Sequence, residues 1–254
     1  MNILVLIKLV PDLVEELTID DSGTSLDMTW LRLIINELDD HAIEEAIVIK
    51  ERSDASVTVI APDFEGVDDV LFTAAAKGAD RLIKLTGDFE EQVNNHALAR
   101  AFTSIIKELN PDLILSGVQA HDDLDGSVGP LVAGYMGLPY VGYVSRISLD
   151  NEEITIHKEY PGGVIAVMKV KLPAVLGIQA AEQPPRYVAI SKVRQAMKTA
   201  TIEEQPIEAL DTTGGVPVNR MFQPETTERA TMIEGDENQI SNRLIEIFRE
   251  AGVL

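Results

Sequence analysis

The chain contains no cysteine, which excludes disulfides, thiolate nucleophiles and Cys-ligated zinc or iron-sulfur centres. It is also short of positive charge: 21 Lys and Arg stand against 42 Asp and Glu, a formal net charge of -21. That balance opposes nucleic-acid phosphates and anionic bilayers, so neither nucleic acid nor direct membrane insertion is expected. Aromatic residues make up only 5%, which leaves no series of base-stacking platforms. A long hydrophobic run is missing too. The opening NILVLIKLV is apolar for about nine residues before Pro11, well short of the roughly 20 that span a bilayer, and no basic stretch precedes it. It reads as the first strand of a cytoplasmic protein. GxGxxG is absent from residues 2–14 and GxxxxGK[ST] from the whole chain, which argues against a dehydrogenase Rossmann fingerprint and a P-loop.

What is present suffices for a full core: 254 residues, 45% of them hydrophobic. Residues 2–9 and Val57 to Ala61 are strand candidates, separated by a helical segment from Asn36 to Glu51. In that segment Leu38, Ala42, Ile43, Ala46, Ile47 and Ile49 form an apolar face. VDDVLFTAAAKGAD, RLIKL, NNHALARAFTSIIKEL and DLILSG continue the alternation as helix, strand, helix, strand. The pattern predicts an α/β fold, a mostly parallel sheet with helices on both faces and Rossmann-like nucleotide-binding topology. Residues 153–160 and 164–171, joined around Pro161-Gly162-Gly163, predict an antiparallel extension. Residues 199–230 show no lasting period, and a C-terminal amphipathic helix follows. The expected organisation is a nucleotide-binding α/β domain with its antiparallel extension over 1–198 and a partner-embracing arm with a C-terminal helix over 199–254, a flexible surface tail being the other reading of the aperiodic stretch.

Ligands of such sheets bind beyond the carboxyl ends of the strands. Three strand-end loops can converge there: Leu6 to Pro11, Ala61-Pro62 and GVQAHDDLDGSVG, residues 117–129. Gly117 and Gly126 permit close backbone approach, and a helix over 126–136 would offer N–H groups to a phosphate. The loop's acids are unfavourable beside phosphate unless they face hydroxyls, backbone donors or solvent, and Asp125 is a candidate helix cap. The loop also reads as a plain acidic turn. His41, His96, His121 and His157 lack metal-ligand spacing and read as surface residues. No general acid, base, nucleophile or metal ligand is assigned. Lys192, Arg194 and Lys198 read as a solvated helix face.

Five stretches, in order, carry a further signal: NILVLIKLVPD at the start, NELDDHAIEEAIVIKE at 36–51, AAAKGAD at 74–80, DLILSGVQAHDDLDGSVGP at 112–130, and KLPAVLGIQAAEQPPRYVAISKVRQAMK at 171–198. With them the chain resembles the β subunit of electron transfer flavoprotein along nearly its whole length. The resemblance implies a subunit that pairs with an α subunit, which chiefly holds an FAD, and that exchanges electrons with a dehydrogenase or other oxidoreductase. It also implies AMP or a second FAD in this subunit. The family's nucleotide contacts fall on Leu6, on Asn36, Glu37, Leu38 and Asp39, and on Pro62. In the long loop they fall on Gly117, Val118, Gln119, Ala120, His121, Asp122, Asp123, Leu124, Asp125, Gly126, Ser127 and Val128. This chain departs from the family pattern at Asp125, at Gly126-Ser127, where amide side chains are common, and at Glu182, where members that serve dehydrogenases carry a leucine anchor. A carboxylate at 182 calls for a cationic partner.

The expected function is therefore an electron-carrier subunit within a heterodimer rather than a stand-alone enzyme. Two alternatives remain open at this point: a stand-alone adenine-nucleotide-binding protein, and a structural interaction subunit whose nucleotide site has degenerated.

Overall fold

The computed structural model describes residues 1–89, 93–150, 153–224 and 230–254. From the N-terminus run β1 (Asn2–Leu6), β2 (Leu9–Pro11), β3 (Leu33–Ile35), α1 (Glu37–Glu51), β4 (Ser56–Pro62), α2 (Val67–Lys77) and β5 (Arg81–Thr86). There follow α3 (Asn95–Leu109), β6 (Leu113–Gly117), α4 (Val128–Met136), β7 (Tyr140–Asp150), β8 (Glu153–Tyr160), β9 (Val164–Lys171) and β10 (Ala174–Ile178). The last elements are α5 (Ile190–Thr199), β11 (Ile202–Pro206) and α6 (Glu237–Glu250).

Nine strands form one sheet in the order β11-β5-β4-β1-β6-β10-β7-β8-β9. Pairing is parallel from β11 to β7 and antiparallel across β7-β8 and β8-β9. Alternation along β1 explains the layering. Ile3, Val5 and Ile7 pack with Ile43, Ile47 and Leu71 of α1 and α2, whereas Leu4 and Leu6 pack with Leu98, Phe102 and Val132 of α3 and α4. Both faces of the parallel sheet are thus covered, which is why its central strands read as continuous apolar runs. The chain passes from β1 outward to β4 and β5, then returns to place β6 on the other side of β1. The order reverses between β1 and β6, and there the crossovers leave a crevice at the strand ends.

Several elements escape the sequence pattern. β11 carries only Ile202 as a large apolar residue, yet it pairs along β5 and its Glu203 takes two bonds from Arg81, at 3.0 and 2.8 Å. It therefore lies inside the stretch from 199 to 230 that shows no period, of which residues 225–229 fall outside the described residues. β7 is hidden because its first part pairs with β10 and its remainder with β8, each with an irregular register. β2 and β3 form a separate two-stranded antiparallel sheet, too short for a periodic signal.

Two compact units result, Met1–Arg220 and Met221–Leu254. In the second, α6 is started by a capping box: the Asp236 carboxylate accepts from the Gln239 N–H, and the Gln239 side chain accepts from the Asp236 N–H. Among the described residues, no helix is long and apolar enough to cross a membrane.

Phe102 is the largest fully buried side chain and fills the layer under α3. Phe102→Ala should lower stability by about 3–5 kcal/mol through lost transfer energy and a residual cavity. Urea denaturation followed by circular dichroism measures this; a loss below about 1 kcal/mol would contradict the packing described.

Candidate functional site

The crevice at the switch point is built on one carboxylate. Asp39 lies in the first turn of α1, where the helix dipole favours negative charge, and it is buried. Its Oδ2 accepts from the Lys8 N–H at 2.9 Å, and its Oδ1 accepts from the Gly117 N–H at 2.7 Å. Thus α1 is stitched to the ends of both β1 and β6. Burial pushes the Asp39 carboxyl up to about 7, against the pull of the two N–H bonds and the Lys8 charge. Gly117 has no freedom to be anything larger: a Cβ there would lie 2.6 Å from Asp39 Oδ1 and 2.8 Å from the Leu38 carbonyl carbon.

Lys8 lies between β1 and β2 and turns its buried ammonium under the long loop. It pairs with Asp122 at 2.7 Å and Asp123 at 2.8 Å. Burial pulls its pKa down, but the two carboxylates outweigh this and raise it overall. Asp123 also accepts from the Asn95 amide at 2.7 Å and the Ala120 N–H at 2.8 Å. Asn95 reaches further, donating to the Gly126 carbonyl at 2.8 Å. The acids that look hostile to phosphate are therefore largely engaged by the chain's own donors. Lys8 and Asn95 carry no sequence motif; a lone lysine inside NILVLIKL is the one signal that could have pointed to them.

The other expected positions are arranged around this knot. Leu6, Asn36, Asp39, Gly117, Gln119, Ala120, Asp123, Ser127 and Val128 line the crevice together with Lys8. Asn36 precedes α1 but makes no side-chain cap; its amide donates to the Gln119 carbonyl at 3.0 Å. Leu38 presses its backbone on Gly117, and Val118 continues the ladder through its N–H to the Ile178 carbonyl. Glu37, His121 and Leu124 are exposed. Pro62 ends β4 and is buried, without lining the crevice. Gly126 has φ +101°, with no atom within 4 Å of a Cβ position.

The helix after the loop starts at Val128, later than the expected 126, with Ser127 as its N-cap residue. Asp125 does not cap it: one of its buried carboxylate oxygens has no hydrogen-bond partner. Neither does the Ser127 side chain, so the first N–H groups of α4 carry no side-chain cap. The enclosed part of the crevice is small, about 10 Å³. Beside it, sharing Ser127, lies an open cavity of about 400 Å³ lined by Tyr140, Tyr143, Tyr160, Lys158 and Met168. Burial, with smaller effects of Tyr143 and Asp123, pushes the Tyr140 hydroxyl up to about 12.

Glu182 departs from its expected setting. Its carboxylate needs no outside cation, because Arg52 reaches it at 2.7 and 3.3 Å and Arg146 at 3.0 Å. Hydrogen bonds from these two arginines hold its pKa down at about 2. The rest of the segment is clamped as well: the Glu182 N–H donates to Glu45 and the Arg186 N–H to Glu44, both buried. His41 accepts from the Ala181 N–H at 3.2 Å, so it serves this clamp rather than standing free on the surface. Among the described residues, no group of three or more His, Asp or Glu is placed to hold a metal ion.

Asp39→Asn would set an amide N–H against one of the two backbone donors, a loss of about 1–3 kcal/mol. It should also remove a pH response. The native carboxyl keeps its proton up to about 7, while the unfolded chain releases it near 3.8. Over that window the native state binds more protons, so the wild-type contribution falls as pH rises. Urea denaturation should show a larger advantage of wild type over Asp39→Asn at about pH 5 than at about pH 8; an equal advantage at both would contradict this environment for Asp39.

Comparison with known proteins identifies the family. Residues 30–210 match the electron transfer flavoprotein domain. The electron transfer flavoprotein subunit beta of Methylophilus methylotrophus is 34% identical over 98% of this chain and 98% of its own length. That of Clostridium acetobutylicum is 34% identical over 76% of this chain and 74% of its own. The Bradyrhizobium diazoefficiens protein is 26% identical over the full length of both. On the family match and on identity sustained from end to end, the chain belongs to the electron transfer flavoprotein β subunit family.

Proposed function

We propose that this chain binds an adenine nucleotide across the mouth of the Asp39 crevice and works as one subunit of a heterodimer. The nucleotide is AMP or the ADP part of a second FAD, the first FAD being carried chiefly by the α subunit. The observation that carries the reading is the junction of three features at one point. The sheet order reverses between β1 and β6, the N-terminus of α4 has no side-chain cap, and the neighbouring acids Asp122 and Asp123 are held by Lys8. Phosphate charge is favoured there by the helix dipole and the uncapped N–H groups.

The enclosed volume is too small for a nucleotide, so the ligand lies over the rim, with its phosphate against Gly126 to Val128. The space beside Gly126 is open on the protein side, which suits close backbone approach. The adjoining cavity offers room for the remainder of a longer dinucleotide. A flavin, when bound in the heterodimer, supplies the one- and two-electron chemistry. This chain's residues bind, orient and shield it, holding the cofactors at the positions from which electrons pass between an oxidoreductase partner and the α-subunit flavin. None of them is assigned a bond-making step.

The test is the ligand content of the purified heterodimer, with flavin and adenylate quantified by mass spectrometry after release. One flavin with one AMP, or two flavins, is expected per heterodimer. A single flavin with no other adenylate would reject the site and favour a degenerate one, the reading that Asp125's unpartnered oxygen supports. Gly126→Val should weaken adenylate binding by about tenfold or more, equivalent to about 1.4 kcal/mol, because a β-branched residue is strained at positive φ and would intrude on the open side.

A further inference from the structure

We infer that the outer edge of β9 is a docking strip for an extended strand of a different polypeptide, the flavin-bearing partner; the inference rests on the heterodimer proposed above. β9 is the last strand of the sheet and pairs with β8 alone. Natural edge strands are protected by being short, or by proline, charge, bulges or a covering element. β9 has none of these along its first five residues, Val164-Ile165-Ala166-Val167-Met168. It runs for eight residues in unbroken register with β8. Its side chains emerge on both faces: Val164 is 59% exposed, Ile165 52% and Val167 63%, with Tyr160 opposite Val164 at 48%. Such an edge is a template for strand addition, in which main-chain hydrogen bonds provide affinity and alternate side chains provide specificity.

Charge selects the occupant. Residues 153–171 hold three lysines against two glutamates, within a chain of net charge -21. Lys169 pairs with Glu153 at 3.6 Å, while among the described residues Lys158 and Lys171 have no carboxylate partner. Lys158 lies instead over the rings of Tyr143 and Tyr160, at 5.6 and 5.4 Å. A second copy would bring like charge to this edge and add another -21, which opposes self-association. A foreign strand with alternating apolar side chains and flanking carboxylates meets both the apolar strip and the two lysines that lack a carboxylate partner among the described residues.

The experiment uses the full chain assembled with its flavin-bearing partner. Sedimentation velocity gives the dissociation constant for wild type, for the double variant Ile165→Lys/Val167→Lys, and for Lys171→Glu. The double variant should weaken assembly about 100-fold and the charge reversal about tenfold, with adenylate content and thermal melting unchanged. Hydrogen exchange on the wild-type heterodimer should show β9 amides slowed by assembly, a readout independent of the variants. Affinities within about twofold of wild type, or β9 amides unaffected by assembly, would overturn the inference. So would a wild-type homodimer that the double variant dissolves, or a loss of adenylate in place of a loss of partner. Failure of the wild-type chain to associate with the flavin-bearing subunit at all would instead reject the heterodimer, and the docking strip with it.

Discussion

One buried carboxylate joins the parts on which everything else depends. Asp39 accepts the N–H of Lys8 just beyond β1 and the N–H of Gly117 at the end of β6, the two strands between which the sheet order reverses. A parallel sheet leaves the last N–H and C=O groups of its strands without ladder partners at such a reversal. Placing the first turn of α1 over that gap satisfies the donors and fixes the helix in one stroke. The same contact accounts for Gly117, since any side chain there would collide with Asp39 and Leu38. It also sets the origin from which the loop to α4 departs.

The second layer of the site is electrostatic bookkeeping inside an acidic protein. A loop with three aspartates could not sit at a phosphate-binding helix start if all of them faced it. Lys8 draws Asp122 and Asp123 inward, and Asn95 ties Asp123 to the Gly126 carbonyl. The segment near Glu182 follows the same economy: Arg52, Arg146, Glu44 and Glu45 hold it to α1 and β7. With the Glu182 carboxylate already shared by two arginines, its role is to order this segment from within rather than to wait for an external cation. An ordered segment costs less conformational entropy when a partner docks.

Much of the fold was legible because the central strands are buried on both faces and the helices are amphipathic. NILVLIKL, VTVIA and DLILSG carry the first signal, and Leu98, Phe102 and Ile106 the second. β8 and β9 were legible through the Pro161-Gly162-Gly163 turn between them. β11 and β7 were not, because an edge strand of mixed polarity and a strand divided between two partners lack a period. In the site, the glycines and acids of 117–129 pointed to the crevice, whereas Lys8 and Asn95 gained their roles only from distant chain segments brought together. Asp125 looked like a cap by position alone; the chain enters α4 two residues later, through Ser127.

If the crevice held by Asp39 receives the nucleotide, its signature belongs to the backbone amides around it. Residue-resolved hydrogen exchange of the wild-type chain, with and without saturating AMP, tests this directly. The account predicts slower exchange confined to the loop from Gly117 and the first turn of α4, from Val128. No change there, or protection centred on another part of the sheet, would contradict it.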